Sequence, residues 1–399
     1  MRDLPTRIFA AYASFILLGM YAGLLGLAWP SMRAEFGLEV DAAGVLLLLS
    51  TMGYLTGSFV TGPLAARIGS GNMFILGAAL MFFGLAGFAI ASTWVLIIIT
   101  GFIASLGSGF IDAGLNAYVA AGYSARVMNW LHACFGVGIT IGPLVMTAAL
   151  SAGSWRTGYA VTAAYAILIT AGLVLLRDSW KNVPQQAGGL ASVKRVAALE
   201  TLRLPQVWIG IAVFFLLVGV ESVPGQWAYS LFTEMRAMSI EAAGFWVSLY
   251  WASFTLGRMV FGTINITLPR ITLIRLGLAF SMLGALLLWL NPLQIGGVVG
   301  LLLLGFAQAP LFPILVLETS NRLGASHAEN AIGFQVAGAG LSIAILPGLV
   351  GVLAREINLE VLGPATLAIV LATAALYEVM ARIRAPHALT AASSPVLGD

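Results

Sequence analysis

Arg177-Asp-Ser-Trp-Lys-Asn-Val-Pro-Gln-Gln-Ala-Gly-Gly-Leu-Ala-Ser-Val-Lys-Arg-Val-Ala-Ala-Leu-Glu-Thr-Leu-Arg-Leu-Pro205 is the one sizeable polar interruption in a chain of 399 residues. On either side of it, apolar stretches of about 20 residues, the length that crosses a hydrocarbon core, follow one another between short polar turns. Before it lie Thr6–Pro30, Ala43–Gly62, Met73–Ser92, Trp94–Gly122, Val127–Ala152 and Thr157–Leu176. After it come Gln206–Phe232, Glu241–Thr263, Thr272–Leu290, Gln294–Glu318, Ala328–Ala354 and Val361–Ile383. The pattern predicts an all-α membrane protein of twelve transmembrane helices in two bundles, 1–176 and 206–383, joined by a linker at 177–205 and followed by a polar tail at 384–399.

Composition agrees: 60% of residues are hydrophobic and only 9% charged, against roughly 25% charged in a soluble domain. The formal net charge of +3 does not point to nucleic acid, because the basic residues sit in loops where they set membrane orientation. Of the 19 Lys+Arg, all but Arg33, Arg156, Arg236 and Arg355 fall on the side of the two termini. By the positive-inside bias, both termini and the linker are expected in the cytoplasm, with the chain in the inner (plasma) membrane. The first span is too long for a cleavable signal and lacks a small-residue cleavage pattern. A lone Cys134 excludes a disulfide framework and a multi-Cys metal site.

The two bundles echo each other. Gly57 and Gly62 in the second span reappear as Gly257 and Gly262 in the eighth, and Gly136 and Pro143 in the fifth as Gly340 and Pro347 in the eleventh. Weak internal symmetry between two six-helix halves is the mark of a parallel-repeat secondary transporter, although glycine is common in any membrane helix.

An ionisable residue inside a bilayer is costly unless paired or solvated, so it marks a pathway or coupling site by default. Glu318 and Glu378 lie at helix ends within reach of water, and Arg382, four residues beyond Glu378, gives that acid a local partner. Asp112 lies deep in its span, and Asn116 one turn on shares its face. Burial makes such a carboxyl a reversible proton carrier; the competing reading is a structural acid bonded to Ser or Asn neighbours. Glu221 lies near the middle of the seventh span, beside the helix-weakening pair Pro224-Gly225. Ser222, Gln226 and Ser230 recur there every four residues, with Trp227 alongside. Amides and hydroxyls next to an indole suit a polyhydroxylated ligand, while the same tryptophan could equally pack or face lipid. His132 falls within about one helical turn of Asp112 in depth, so an Asp–His relay competes with a packing role. Arg67, in the tight turn Gly62-Pro-Leu-Ala-Ala-Arg-Ile-Gly69, and an Arg258–Glu318 lock are the candidate gating elements. No GxxxxGK[ST], HExxH or GxSxG pattern is present, so neither an ATP-driven pump nor an enzyme is expected, and no cofactor.

Twelve spans divided six and six, with Gly62, Arg67 and Gly69 in the second-to-third loop, resemble the major facilitator superfamily. That loop departs from the family's pattern, with Ala66 where an Asp is usual and Ser70 and Gly71 where basic residues are common. Gly109…Asp112…Asn116, the stretch from Leu131-His132 through Phe135-Gly136 to Gly142-Pro143, Glu221…Gly225-x-Trp227, Gly257-Arg258 and Phe312-Pro313 are similar to the fucose:proton symporters and the sodium-dependent glucose transporter-like proteins. The resemblance implies proton symport of a sugar by alternating access, with the proton rather than sodium as coupling ion. Asp112 matches the acid of the fourth helix, while the acid those symporters carry in the first helix is missing, Gly26 standing in its place. Proton coupling is thus expected at Asp112, Glu221 and His132. Substrate contacts are expected at Asn116, Gln226, Trp227, Trp251 and Gln335, in a monomer whose partners are a sugar and the bilayer. A multidrug or organic-solute antiporter is the alternative, with 13 methionines and 10 tryptophans able to form an adaptable pocket; a membrane sugar sensor is a third.

Overall fold

The computed structural model describes residues 3–181, 196–263 and 268–383. Most of the expected linker and the whole expected tail therefore lie outside the described residues. Twelve long helices run through the rest: α1 (Asp3–Phe36), α2 (Ala43–Ile68), α3 (Ser70–Ile90), α4 (Trp94–Gly122), α5 (Ala125–Ser151), α6 (Trp155–Leu175), α7 (Pro205–Ser230), α8 (Ile240–Thr263), α9 (Arg270–Leu290), α10 (Gly296–Gly324), α11 (Ser326–Glu356) and α12 (Leu362–Arg382). There is no strand among the described residues.

Eleven of the helices are long and apolar enough to cross a membrane. The exception by hydropathy is α8, whose Trp, Tyr, Ser and Arg side chains dilute its apolar content. Several helices outrun the expected spans, α1 reaching Phe36 and α10 reaching Gly324, because backbone hydrogen bonding does not stop where the side chains become polar. Only the non-helical backbone at Gly324 (φ 72°, ψ 165°) separates α10 from α11, a left-handed φ that glycine adopts without strain.

The internal repeat is structural as well as sequential. In the first half α1 packs on α5 and α6, α2 on α4, and α3 on α4 and α6. In the second half α7 packs on α11 and α12, α8 on α10, and α9 on α10 and α12. The halves meet through α1 on α7 and through two symmetry-related crossings, α5 on α8 and α2 on α11.

The described bonds across these crossings lie toward the end remote from the termini. Arg33 pairs with Glu234 there, Arg355 Nη1 with Asp41 Oδ2 at 2.8 Å, and the Ser151 hydroxyl donates to Glu241 at 2.6 Å. About two turns deeper, the Ser248 hydroxyl donates to the Thr140 carbonyl. Among the described residues no described bond joins α2 to α11 or α5 to α8 toward the termini, so the bonds between the halves are gathered at the remote end.

Exposed ion pairs contribute only about 0.2–1 kcal/mol each, so this latch is weak enough to break in a working cycle. Replacing Arg33 and Arg355 together by Gln is expected to raise the population open at the remote end by roughly 2- to 30-fold, at 1.4 kcal/mol per decade. Distances between spin labels on the α5–α6 turn and the remote end of α11 check this; an unchanged distribution means the pairs do not hold the gate.

Candidate functional site

The site begins with a helix crossing. Gly57 on α2 and Gly109 on α4 approach so closely that a Cβ on Gly57 would fall 3.2 Å from the Gly109 Cα. Small residues permit that contact, as they do at membrane helix interfaces generally. It sets Tyr54 of α2 against Asp112 of α4. The Tyr54 hydroxyl donates to Asp112 Oδ2 at 2.5 Å, and the Asn116 amide donates to Oδ1 at 2.9 Å. Both oxygens of a mid-span carboxylate are thus satisfied, which is the condition for its presence there. Asp112 and Asn116 remain half-buried on the inward side of α4. The four-residue spacing correctly put the acid and the amide on one face. Tyr54 escaped notice because its partner lies on another helix, although the glycines at 53 and 57 mark α2 as a close-packing helix.

His132 is exposed to the open space between the halves, with Phe15 set edge-on to its ring at 5.8 Å. It is near enough to feel the charges of Asp112 on one side and Arg258 on the other, without a hydrogen bond to either. Its helix, α5, meets α8 where Gly136 faces Thr255. Arg258 in turn lies in the field of Glu221. Asp112, His132, Arg258 and Glu221 thus lie within electrostatic reach of one another in that order, from the first half to the second.

On α7, the stripe of Ser222, Gln226 and Ser230 is retained. Each of these side chains has a polar atom enclosed without a partner: Oγ of both serines and Nε2 of Gln226. Gly225 lies against the indole of Trp251, and the Tyr250 hydroxyl donates to the Glu221 carbonyl at 2.8 Å. α7 stays helical through Pro224, so the weakened position does not break the helix. Gly26 packs on the α7 backbone, where a Cβ would come within 2.9 Å of the carbonyl oxygens of Gly225 and Gln226. The space beside Gly26, where the sequence resemblance led to the expectation of an acid, is thus taken up by the approach of the two halves.

Trp227, Gln335 and Glu318 are placed differently from the expectation, and Arg67 lies in the turn where the sequence put it. Trp227 is 1% exposed and its indole N–H donates to the Pro347 carbonyl at 2.9 Å; it fastens α7 to α11 and has no face free for a ligand. Gln335 is 2% exposed, accepts from Thr319 at 3.0 Å and packs on Gly210, which puts it inside the second half near the termini. Glu318 pairs with Arg322 at 2.9 Å, and Arg322 also donates to the Met380 carbonyl; Arg258 and Glu318 are not joined. Arg67 is exposed in the α2–α3 turn, with no ion pair described. Outside the site, Glu378 pairs with Arg275 across α9 and α12 at 2.7 Å rather than with Arg382. Among the described residues no three His, Cys, Asp or Glu side chains gather as a metal site would need.

Comparison with known proteins agrees with this architecture. The family model "Major Facilitator Superfamily" matches residues 11–347. An uncharacterised transporter of that type from Yersinia pestis is 25% identical over 310 residues, 75% of this chain and 78% of the relative. The mouse sodium-dependent glucose transporter 1A is 25% identical over 389 residues, 86% of this chain and 88% of the relative. Among solved structures, a bacterial homologue of the lysosomal transporter Spinster, inward-facing and unoccupied, superposes with a TM-score of 0.78 at 13% identity, covering 95% of this chain and 98% of that one. A D-xylose–proton symporter superposes with a TM-score of 0.72 at 16% identity, covering 92% and 96%.

Restoring an acid at the first-helix position tests the packing described for Gly26. Gly26→Asp is expected to destabilise the remote-closed state by about 1–3 kcal/mol through overpacking, read as a lower thermal midpoint in detergent. An unchanged midpoint means that α1 and α7 do not need the glycine.

Proposed function

The chain belongs to the Major Facilitator Superfamily, and from that premise we propose that it moves a sugar or related polar solute by proton-coupled symport. It is a secondary transporter; the proton, the sugar and the direction are our reading. The termini are assigned to the cytoplasm and the chain to the inner membrane on the strength of the basic residues gathered on the terminal side.

The observation that carries the reading is the half-buried, mid-span Asp112 carboxylate, held by Tyr54 and Asn116. A charged carboxylate needs this polar, water-reached setting, whereas its neutral form is far cheaper to enclose. Protonation therefore favours closure of the terminal side around a loaded site, and deprotonation favours the open state; ligand and proton together shift one equilibrium between two gates. His132, between Asp112 and Arg258, is the group through which the charge state of the first half is felt in the second.

Gln226 and Ser222 supply hydrogen-bonding groups for substrate hydroxyls. Asn116 adds its amide, and Trp251, beside Gly225, offers the apolar surface. The name of the mouse relative, a sodium-dependent glucose transporter, supports a sugar while leaving the coupling ion to experiment.

Uptake into proteoliposomes tests the reading. Wild-type protein is expected to accumulate substrate against its gradient only with an inward proton gradient, and not with sodium alone. Asp112→Asn is expected to lose accumulation while retaining counterflow exchange, and Tyr54→Phe to lie between the two. Full gradient-driven accumulation by Asp112→Asn would remove the coupling assignment.

A further inference from the structure

Arg258 stands out among the arginines that are at least partly buried. Arg33 is paired with Glu234, Arg156 with Glu35, Arg236 with Glu360 and Arg322 with Glu318. Arg258 has no ion pair among the described residues: its guanidinium lies 4.3 Å above the Phe254 ring, and its Nε is enclosed without a hydrogen-bond partner. Leaving a cation in such a place is costly, and the aromatic face meets only part of the need. Glu221 is near enough to balance the charge through space yet does not close on the guanidinium, while the Tyr250 hydroxyl binds the Glu221 backbone.

The internal repeat sharpens the point. Gly57-Ser58…Gly62 in the first half corresponds to Gly257-Arg258…Gly262 in the second. The equivalent positions on α2 and α8 thus hold a hydroxyl in the first half and a guanidinium in the second. On α7, Ser222, Gln226 and Ser230 each have an enclosed polar atom without a partner. A planar guanidinium fork with free N–H groups matches a carboxylate in two parallel hydrogen bonds. A row of amide and hydroxyl groups matches alcohols.

We propose that Arg258 is the anchor for a substrate carboxylate, so that the transported solute is a polyhydroxylated monocarboxylate, a sugar acid, rather than a neutral sugar. The proposal rests on the transporter reading of the same cavity and narrows its substrate class. Glu221 is then the counter-charge of Arg258 while the site is empty. One proton on Asp112 and one carboxylate on Arg258 add no net charge, which makes the symport electroneutral: it responds to a pH gradient and not to membrane potential.

The test uses the full chain with D-gluconate, D-glucuronate, D-glucose and D-glucitol as probes, reading ligand-induced thermal stabilisation for affinity and counterflow for transport. At least one of the two acids is expected to bind tenfold or more tightly than glucose or glucitol. Arg258→Gln is expected to bring that ratio close to one, and Arg258→Lys to leave an intermediate preference, because it keeps the charge and loses the fork. The unliganded midpoint of Arg258→Gln is expected to stay at or above that of the wild type, whereas a purely structural arginine would lower it. Equal or tighter binding of the neutral sugars by the wild type overturns the proposal and leaves the sugar-transport reading standing. An acid preference that survives in Arg258→Gln overturns the role of Arg258. Failure of all four probes to bind overturns both readings. Should Arg258→Gln fail to fold, the wild-type panel and Arg258→Lys decide the question.

Discussion

A carboxylate placed mid-span in a membrane helix must find donors or water, and Asp112, half-buried, finds donors in Tyr54 and Asn116. Much of the first half serves this requirement. Gly57 and Gly109 let α2 and α4 approach until the tyrosine reaches across. The Asn116 amide completes the pair from one turn away. In exchange, the acid carries a charge that protonation can remove, and that change alters what it costs to close the cavity.

The second half answers with a different arrangement of the same packing scheme. Where α2 presents Ser58, α8 presents Arg258, and where α1 packs through Gly26, α7 offers its backbone and the stripe of Ser222, Gln226 and Ser230. The repeat thus fixes the helix pairings, and divergence at a few positions gives one half a mid-span acid with two donors and the other an arginine stacked on Phe254. Four described contacts hold the halves together toward the remote end, three of them involving charged side chains. Such contacts suit a gate that must open as often as it closes.

The fold was legible because its signal is long: apolar runs cannot be hidden, and one polar stretch divides them. The acid–amide pair was legible because the helix period alone fixes it. What sequence could not supply was any contact made between helices. Trp227 sits beside a polar stripe, and only packing shows that its indole N–H is spent on the Pro347 carbonyl. Gln335 reads as an inward amide yet is held by Thr319 within its own half. The pairing of Glu318 with Arg322 was within reach, four residues apart on one helix, and the more distant Arg258 drew attention because of its depth. Tyr54 carried no mark of its own, since a tyrosine in a membrane helix is ordinary until a carboxylate stands opposite it.

The central claim is that Asp112 gains and loses a proton in the working protein. Infrared difference spectroscopy between acid and alkaline pH reads this directly on the wild type and Asp112→Asn in lipid. The account predicts a protonated-carboxyl stretching band that appears on acidification in the wild type, shifts when Tyr54→Phe removes one donor, and is missing from Asp112→Asn. A band of equal intensity in wild type and Asp112→Asn, or none in the wild type across the range, would contradict it.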